Sequence, residues 1–103
     1  MTGETQHFEK KSLRKVTGAS ADWHGLAESC VAFATAHGGL LRVGIEDGAD
    51  TPPKGQVIPS DLPSTIAQRI GQLTVNVTVD AVIREADNGG AFVEVHVPRS
   101  NSV

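Results

Sequence analysis

Two groups of charged residues have the side chains and the spacing to do chemistry. One group is basic and consists of Lys10, Lys11, Arg14, Lys15 and Arg42. The other is acidic, since Glu46 and Asp47 directly follow the apolar run that ends at Ile45. Lysine and arginine bind phosphate oxygens, and carboxylates bind hard cations. The sequence therefore predicts a candidate nucleic-acid-binding patch, whose alternative is a solvated basic surface, and a candidate acidic site at the end of a strand.

A helix beginning at Trp23 is the best-supported of the elements that position these residues. Its apolar side chains recur every three or four residues, as in a helix with one face on a core. They are Trp23, Leu26, Ala27, Cys30, Val31 and Ala34. Ser20 or Asp22 can cap the amino end of the helix by accepting a hydrogen bond from a free backbone N–H. Gly38 or Gly39 can supply the positive φ that ends a helix.

The rest of the chain predicts a two-layer fold. A short extended segment precedes the helix, and after it we expect a strand, a surface loop, a second helix capped by Asp61 or Ser64, and a hairpin of two strands. These segments are residues 40–46, 47–59, 61–72, 73–83 and 91–97. In the first of these strands, Leu41, Val43 and Ile45 are expected to face the helices. The predicted fold class is α/β (α+β): a mixed sheet with two helices on one face, in the order β-α-β-α-β-β. Four glycines are expected to be structural: Gly38, Gly39, Gly44 and Gly48.

Composition and charge restrict the class of protein. The 103 residues predict a single domain, residues 1–103, with a flexible tail at residues 98–103. No apolar run approaches the roughly 18 residues of a membrane span, so we expect a cytoplasmic protein with no membrane partner. The net charge of −3 is not that of a domain with a basic surface throughout, so any binding of nucleic acid must be local. The single cysteine, Cys30, is expected to be a core residue.

Four ordered blocks of sequence resemble a known family. They are Glu4 and Glu9 followed by Lys11, AFATAHGG at residues 32–39, LLRVGIEDG at residues 40–48, and VEVHVPRS at residues 93–100. In combination they resemble the Schlafen-type, Alba-like DNA-binding domain, which has also been described as a divergent AAA domain. The resemblance spans nearly the whole chain. One departure is Thr35, which stands where the family usually has asparagine.

The resemblance implies a module of a transcriptional regulator. Many bacterial members carry this domain ahead of a winged-helix region, so the chain is expected to bind DNA or RNA and to be a fragment that continues into further domains. Animal Schlafens contain two related lobes arranged as a clamp, which implies that a single-lobe chain is a homo-oligomer. The leading prediction is therefore a nucleic-acid-binding or assembly module without catalytic activity, and a self-association domain is one alternative.

A metal-dependent ribonuclease is the other alternative that the resemblance implies. Some animal Schlafens are RNA endonucleases in which two glutamates and one aspartate hold a divalent metal, and the matching positions here are Glu4, Glu9 and Asp47. Mg²⁺ or Mn²⁺ suits three such carboxylates. However, Glu4 and Glu9 differ in strand parity and converge only where the segment bends; otherwise Glu9 is a solvated residue and Asp47 belongs to a turn. ATP is not expected, because the chain has no G-x4-G-K-[ST] motif, and no catalytic residue is assigned.

Overall fold

Two helices pack on one face of a four-stranded mixed sheet. The structure is a computed structural model that describes residues 7–100. Its strands and α-helices are β1 (His7–Lys11), α1 (Trp23–Thr35), β2 (Gly39–Val43), α2 (Leu62–Leu73), β3 (Asp80–Glu85) and β4 (Ala91–Val97). Two short 3₁₀ helices, Leu13–Lys15 and Gly18–Ser20, connect β1 to α1. The predicted α+β sandwich and its element order are confirmed.

The strand order β1-β2-β4-β3 places β1 and β3 at the two edges of the sheet. β1 runs parallel to β2, with Glu9 opposite Leu41 and Lys11 opposite Val43. β4 is antiparallel to both of its neighbours, β2 and β3. Because the first two strands point the same way, β1 and β2 finish side by side at one end of the sheet. The residues that follow each of them are therefore neighbours in space.

The hydrophobic core lies between the helices and the covered face of the sheet. Leu41 and Val43 belong to this core and are fully buried, which confirms that they face the helices; Ile45 follows the end of β2 and is 1% exposed, but it is not part of the same cluster. The other side chains buried to this extent come from both helices and from β4, and they are Leu26, Cys30, Ala34, Ile66, Ile70, Val93, Val95 and Val97. One continuous core therefore joins all the layers, and among residues 7–100 no helix covers the opposite face of the sheet.

Both α-helices begin at the positions that the sequence indicates. The Asp22 carboxylate accepts a hydrogen bond of 3.0 Å from the Gly25 amide, so Asp22 is the cap of α1. Asp61 occupies the cap position of α2 without a side-chain hydrogen bond, and Pro63 lies in the first turn, where its missing N–H costs no helical bond. Among residues 7–100, neither helix combines the length and the apolar character needed to cross a lipid bilayer.

The strand predicted over residues 73–83 is wrong in extent, because β3 begins only at Asp80. Helix α2 continues to Leu73, and Asn76 then takes a positive φ of 61° that interrupts any extended run. The predicted alternation of buried and exposed side chains is observed only in part: Val77 is buried, whereas Val75 is 70% exposed. The apolar pattern of this segment therefore reflects a loop packed against the core, followed by a shorter strand.

Gln56 ties the long loop after β2 to the sheet. Its side-chain amide donates hydrogen bonds of 2.8 Å to the carbonyl oxygens of Gly44 and Ala91, and its own carbonyl accepts from the Ala91 amide at 2.8 Å. Gly44 has a φ of 112°, and a Cβ there would lie 2.9 Å from the Gln56 amide nitrogen. Glycine is required at residue 44 on both counts. The loop therefore has a fixed path where it leaves β2.

The residues after β4 pack against the carboxyl end of α1. Within the segment predicted to be a flexible tail, the structure describes residues 98–100, and the Ser100 amide donates a 2.8 Å hydrogen bond to the Ala34 carbonyl. A Cβ at Gly38 would lie 2.8 Å from the Val97 carbonyl oxygen, and one at Gly39 would lie 2.2 Å from the Phe33 ring. The double glycine therefore allows α1, β2 and the chain after β4 to approach closely.

We expect Gln56→Ala to lower the free energy of unfolding by about 1–3 kcal/mol, because it removes the donor to two partly buried carbonyl groups. Urea denaturation followed by circular dichroism measures the change. Lys54→Ala, an exposed substitution in the same loop, is the matched control and should change stability by no more than about 0.5 kcal/mol. Equal stability of the Gln56 and Lys54 variants would show that the loop is not anchored by this amide.

Candidate functional site

A cavity of about 550 Å³ lies where β1 and β2 end, along the outer edge of β1. We call it the corner cavity. It is lined by Phe8, Glu9, Lys10, Lys11, Ser12, Arg14, Lys15, Glu46 and Asp47. Four of the five predicted basic residues and two of the three predicted metal ligands are therefore brought together here. Volumes of roughly 300–1,000 Å³ are typical of ligand sites.

The basic side of the corner cavity is positioned by the turn that follows β1. In the 3₁₀ helix Leu13–Lys15, the Lys15 amide donates a hydrogen bond of 3.0 Å to the Ser12 carbonyl. The next residue, Val16, is buried in the core. The Lys15 carbonyl in turn accepts from the Asp22 amide at 2.8 Å, which ties this turn to the start of α1. Arg14 is consequently presented outward on a short, anchored segment.

The acidic side is positioned by the turn that follows β2. Ser12 donates a hydrogen bond of 2.7 Å from its hydroxyl to the Glu46 carboxylate, across 34 positions of sequence. The Lys10 ammonium donates to the Ala49 carbonyl and lies 3.8 Å from the Asp50 carboxylate. These contacts hold the acidic turn against β1. Strand β2 stops at Val43, so it ends earlier than the strand predicted over residues 40–46. The Glu46 and Asp47 carboxylates nevertheless lie beside the lysines of β1.

The four cations of the corner cavity differ in how they are already engaged. Lys10 and Lys11 are each 21% exposed at the side chain, and Lys11 forms an ion pair of 2.8 Å with Glu9. Arg14 and Lys15 are exposed, and within residues 7–100 neither forms an ion pair. An incoming anion can therefore contact Arg14 and Lys15 without breaking a salt bridge, whereas Lys11 must first release Glu9.

The described carboxylates do not by themselves form a metal site. Among residues 7–100, no group of three side chains is arranged to hold a metal ion. Glu9 and Asp47 share the corner cavity, but the Glu9 carboxylate is paired with Lys11. Glu4, the third residue of the predicted set, lies outside the described residues. A divalent cation here would therefore depend on Glu4 and on displacement of Lys11 from Glu9.

Arg42 does not line the corner cavity, although the register of β1 on β2 places it directly opposite Lys10. It lies on the open face of the sheet, where its guanidinium is 5.0 Å from the Phe8 ring and 5.8 Å from the Phe92 ring. Its Nε is 3.6 Å from a Glu94 carboxylate oxygen. The physical reason is the register of β4, which places Glu94 directly opposite Arg42.

Glu94 collects three basic side chains on the open face, and we call these four residues the Glu94 cluster. Besides Arg42, the cluster contains Arg84 and His96, whose ring and guanidinium nitrogens each lie 3.2 Å from Glu94 Oε1. Burial, the largest single influence, would raise the pKa of the Glu94 carboxyl, but hydrogen bonds and charge attraction from Arg84 and His96 together outweigh it, and the net shift is downward. The carboxylate thus stays ionised and neutralises cations that would otherwise repel one another.

Cys30 lies under the corner cavity but is chemically silent. Burial, helped by the nearby Glu9 carboxylate and opposed by Lys11, raises the pKa of its thiol to about 12. At neutral pH the sulfur is therefore a thiol and not the nucleophilic thiolate. Its role is to fill space in the core, as the sequence predicts.

Comparisons with known proteins add no assignment: no protein-family model matches the chain, and a search of curated proteins found no match. The Schlafen-type resemblance thus stays a prediction from the motifs. Sequence reasoning missed Phe8 and Ser12 as lining residues of the corner cavity. Side chains alternate along a strand, so the face on which Phe8 lies could have been read from the sequence. The pairing of Ser12 with Glu46 could not, because it depends on the register of β1 against β2.

We expect the stability of the chain to fall as the pH drops below about 4.3, the usual pKa of a glutamate in an unfolded chain. The pKa of Glu94 is lower in the folded state, so its stabilising effect is complete above that pH and is lost on acidification. Glu94→Gln should be less stable at pH 7 and should lose less stability between pH 7 and pH 3. Urea denaturation across this range checks the difference, with Glu85→Gln as the control. Parallel acid profiles for Glu94→Gln and the unsubstituted chain would contradict it.

Proposed function

We propose that the chain is a Schlafen-type nucleic-acid-binding module of a transcriptional regulator, without catalytic activity of its own, and that it contacts phosphates at the corner cavity. The observation that carries the proposal is the convergence of four cations, Lys10, Lys11, Arg14 and Lys15, on one cavity at the ends of two parallel strands. The sequence resemblance supports the same family and the same class of ligand.

The first phosphate contacts fall on Arg14 and Lys15. Both side chains are exposed and carry no competing ion pair within residues 7–100, so binding requires little desolvation and no broken salt bridge. They are adjacent on the anchored 3₁₀ helix, which fixes their spacing. Lys10 and Lys11 lie deeper in the same cavity and supply further positive charge.

The carboxylates of the corner cavity restrict how a nucleic acid can approach. Glu46 and Asp47 are exposed on the side that follows β2, and they repel a phosphate backbone. The backbone is therefore directed along the basic side, beyond the end of β1. Such local binding is consistent with a net charge of −3 for the whole chain. Phosphate contacts of this kind position a protein but carry no base specificity.

We expect Arg14→Ala/Lys15→Ala to weaken binding of duplex DNA and of structured RNA, and to reduce the salt dependence of binding. On a log–log plot, the slope should fall by about 0.9 for each lost contact with duplex DNA. Fluorescence anisotropy of labelled oligonucleotides at several salt concentrations measures both quantities. The matched control is Lys54→Ala/Arg99→Ala, which removes one lysine and one arginine that do not line the corner cavity.

The control separates local contact from general attraction. If the proposal is correct, Lys54→Ala/Arg99→Ala keeps most of the affinity and the salt slope of the unsubstituted chain. Equal losses in the two double variants would mean that only net charge matters and would reject the corner cavity as the site. Absence of binding by the unsubstituted chain at low salt would reject nucleic-acid binding altogether.

A metal-dependent ribonuclease is the second candidate, favoured by one observation. Glu9 and Asp47, two of the three carboxylates that the resemblance implies, line the same cavity as the four cations. Cations beside an acidic pair can hold an RNA backbone next to the carboxylates. This candidate requires Glu4 as well, and it differs from the leading proposal in predicting cleavage and not only binding.

We expect the chain to leave structured RNA intact in Mn²⁺ if the leading proposal is right. If the ribonuclease is right, cleavage should appear in Mn²⁺, stop with EDTA and be lost in Asp47→Asn. Denaturing gel electrophoresis of a labelled RNA hairpin gives the measurement. Asp50→Asn, which neutralises an exposed carboxylate of the same turn that does not line the cavity, is the control. Cleavage that persists in Asp47→Asn indicates a contaminating nuclease.

A further inference from the structure

The outer edge of β3 is an unpaired sheet edge. Within residues 7–100, β3 is hydrogen-bonded only to β4. The Ala86 amide points toward β4, because it donates to the Gly90 carbonyl at 2.8 Å. Since the direction of these groups alternates along an antiparallel strand, the N–H and C=O groups of Ala81 and Ile83 point outward. These backbone groups are available to a further strand.

This edge lacks lysine, proline and a bulge, and its charged residues are of both signs: Asp80, Arg84 and Glu85. Natural edge strands are blunted by lysine, proline or a bulge. β3 contains neither lysine nor proline and pairs with β4 without a register break, whereas the opposite edge, β1, carries Lys10 and Lys11. Two apolar side chains of β3 are also partly uncovered: Val82 is 38% exposed and Ile83 is 40% exposed.

The charges of β3 are complementary to those of a second copy of itself. Consider two β3 strands that run antiparallel around a two-fold axis perpendicular to the sheet at Val82. Asp80 of each copy then lies opposite Arg84 of the other, and the two Val82 side chains meet at the centre. Opposite charges facing each other across strands stabilise the pairing. Arg84 also bonds to Glu94 of its own chain, and its five N–H donors suffice for both partners.

The same axis satisfies the outward backbone groups. Ala81 of one copy lies opposite Ile83 of the other, and these are the residues whose N–H and C=O groups point outward. A register centred on Ile83 is less favourable, because it sets Ala81 against Glu85 and leaves Asp80 without Arg84. With the axis at Val82, the helices of both copies remain on one face of a continuous sheet. A two-fold contact of this kind uses the same surface on both copies, so assembly through it ends at a dimer.

We propose that two copies of this chain associate through their β3 edges, with Asp80 of each copy paired with Arg84 of the other, to form one eight-stranded sheet. The proposal does not depend on nucleic-acid binding, because the corner cavity lies at the opposite edge of each four-stranded sheet. The occupant is a second copy because β3 is complementary to itself in sign, spacing and backbone direction.

A charge-reversal experiment tests both the association and its register. Sedimentation equilibrium over a wide range of concentration should show the mass rising from 10.8 kDa toward twice that value. Asp80→Arg alone sets arginine against Arg84, and Arg84→Asp alone sets aspartate against Asp80, so each should weaken association by about tenfold or more. The double variant Asp80→Arg/Arg84→Asp restores opposite charges and should recover association. Circular dichroism confirms that each variant is folded.

Glu85→Arg is the matched control for Asp80→Arg. It makes the same change of charge on the same strand, but in the proposed register it faces Val79 of the second copy and not an arginine. It should therefore associate like the unsubstituted chain. Hydrogen exchange gives an independent readout, since the amides of Ala81 and Ile83 should become more protected as concentration rises, while that of Val93 in β4 should not change.

Several outcomes would overturn the proposal. A chain that stays at the monomer mass at every concentration leaves the β3 edge to solvent or to another partner. A dimer that persists equally in both single charge reversals has its interface elsewhere. A dimer that Arg84→Asp disrupts and Asp80→Arg leaves intact depends on the contact of Arg84 with Glu94 of its own chain or uses another register, and the pairing of Asp80 with Arg84 is then wrong.

Discussion

The parallel pairing of β1 with β2 is the contact on which the candidate site depends. It brings a basic segment from the start of the chain beside an acidic turn more than thirty residues later, as the hydrogen bond from Ser12 to Glu46 shows. Only the basic segment is tied to a helix, through the hydrogen bond from the Asp22 amide to the Lys15 carbonyl. The order of the site otherwise comes from the strand register, from the amide of Gly44, which donates to the Lys11 carbonyl at 2.7 Å, and from Lys10 holding the acidic turn. Weakening of this one strand pair would disperse the charges.

The two faces of the sheet use their charges in different ways. On the open face, Arg42, Arg84 and His96 share the Glu94 carboxylate, so each of these basic side chains is already engaged by an acidic partner within the sheet. At the corner cavity, Arg14 and Lys15 remain exposed and without ion pairs in the described part of the chain. An acidic protein can thus present a small positive surface. What decides between binding and structural roles is the placement of neighbouring carboxylates and not the number of lysines and arginines.

Periodic features of the chain were predictable from the sequence, and features that depend on register were not. Helix α1, its Asp22 cap and the hairpin of β3 and β4 follow from spacing and turn residues, and they are confirmed. The late start of β3 was missed because Asn76 takes a positive φ inside an alternating apolar run. The ion pair of Arg42 with Glu94 was not predicted, because Glu94 lies 52 positions away in sequence, on a strand whose neighbours the sequence does not reveal. The convergence of the lysines on the acidic turn was predicted and is observed, whereas the ligand set that includes Glu4 stays a prediction.

The strand order determines how far apart the two corner cavities of a dimer would lie. Because β1 and β3 occupy opposite edges, a pair joined at β3 would carry its two corner cavities at the far ends of eight strands. Seven gaps between strands of about 4.8 Å separate the outermost strands by roughly 34 Å. That distance is close to one helical turn of duplex DNA, also about 34 Å. Because the two β1 strands of such a pair would run in opposite directions, the cavities at their ends would lie at diagonally opposite corners and farther apart than the strands themselves. Only an extended ligand that crosses the sheet obliquely could contact both.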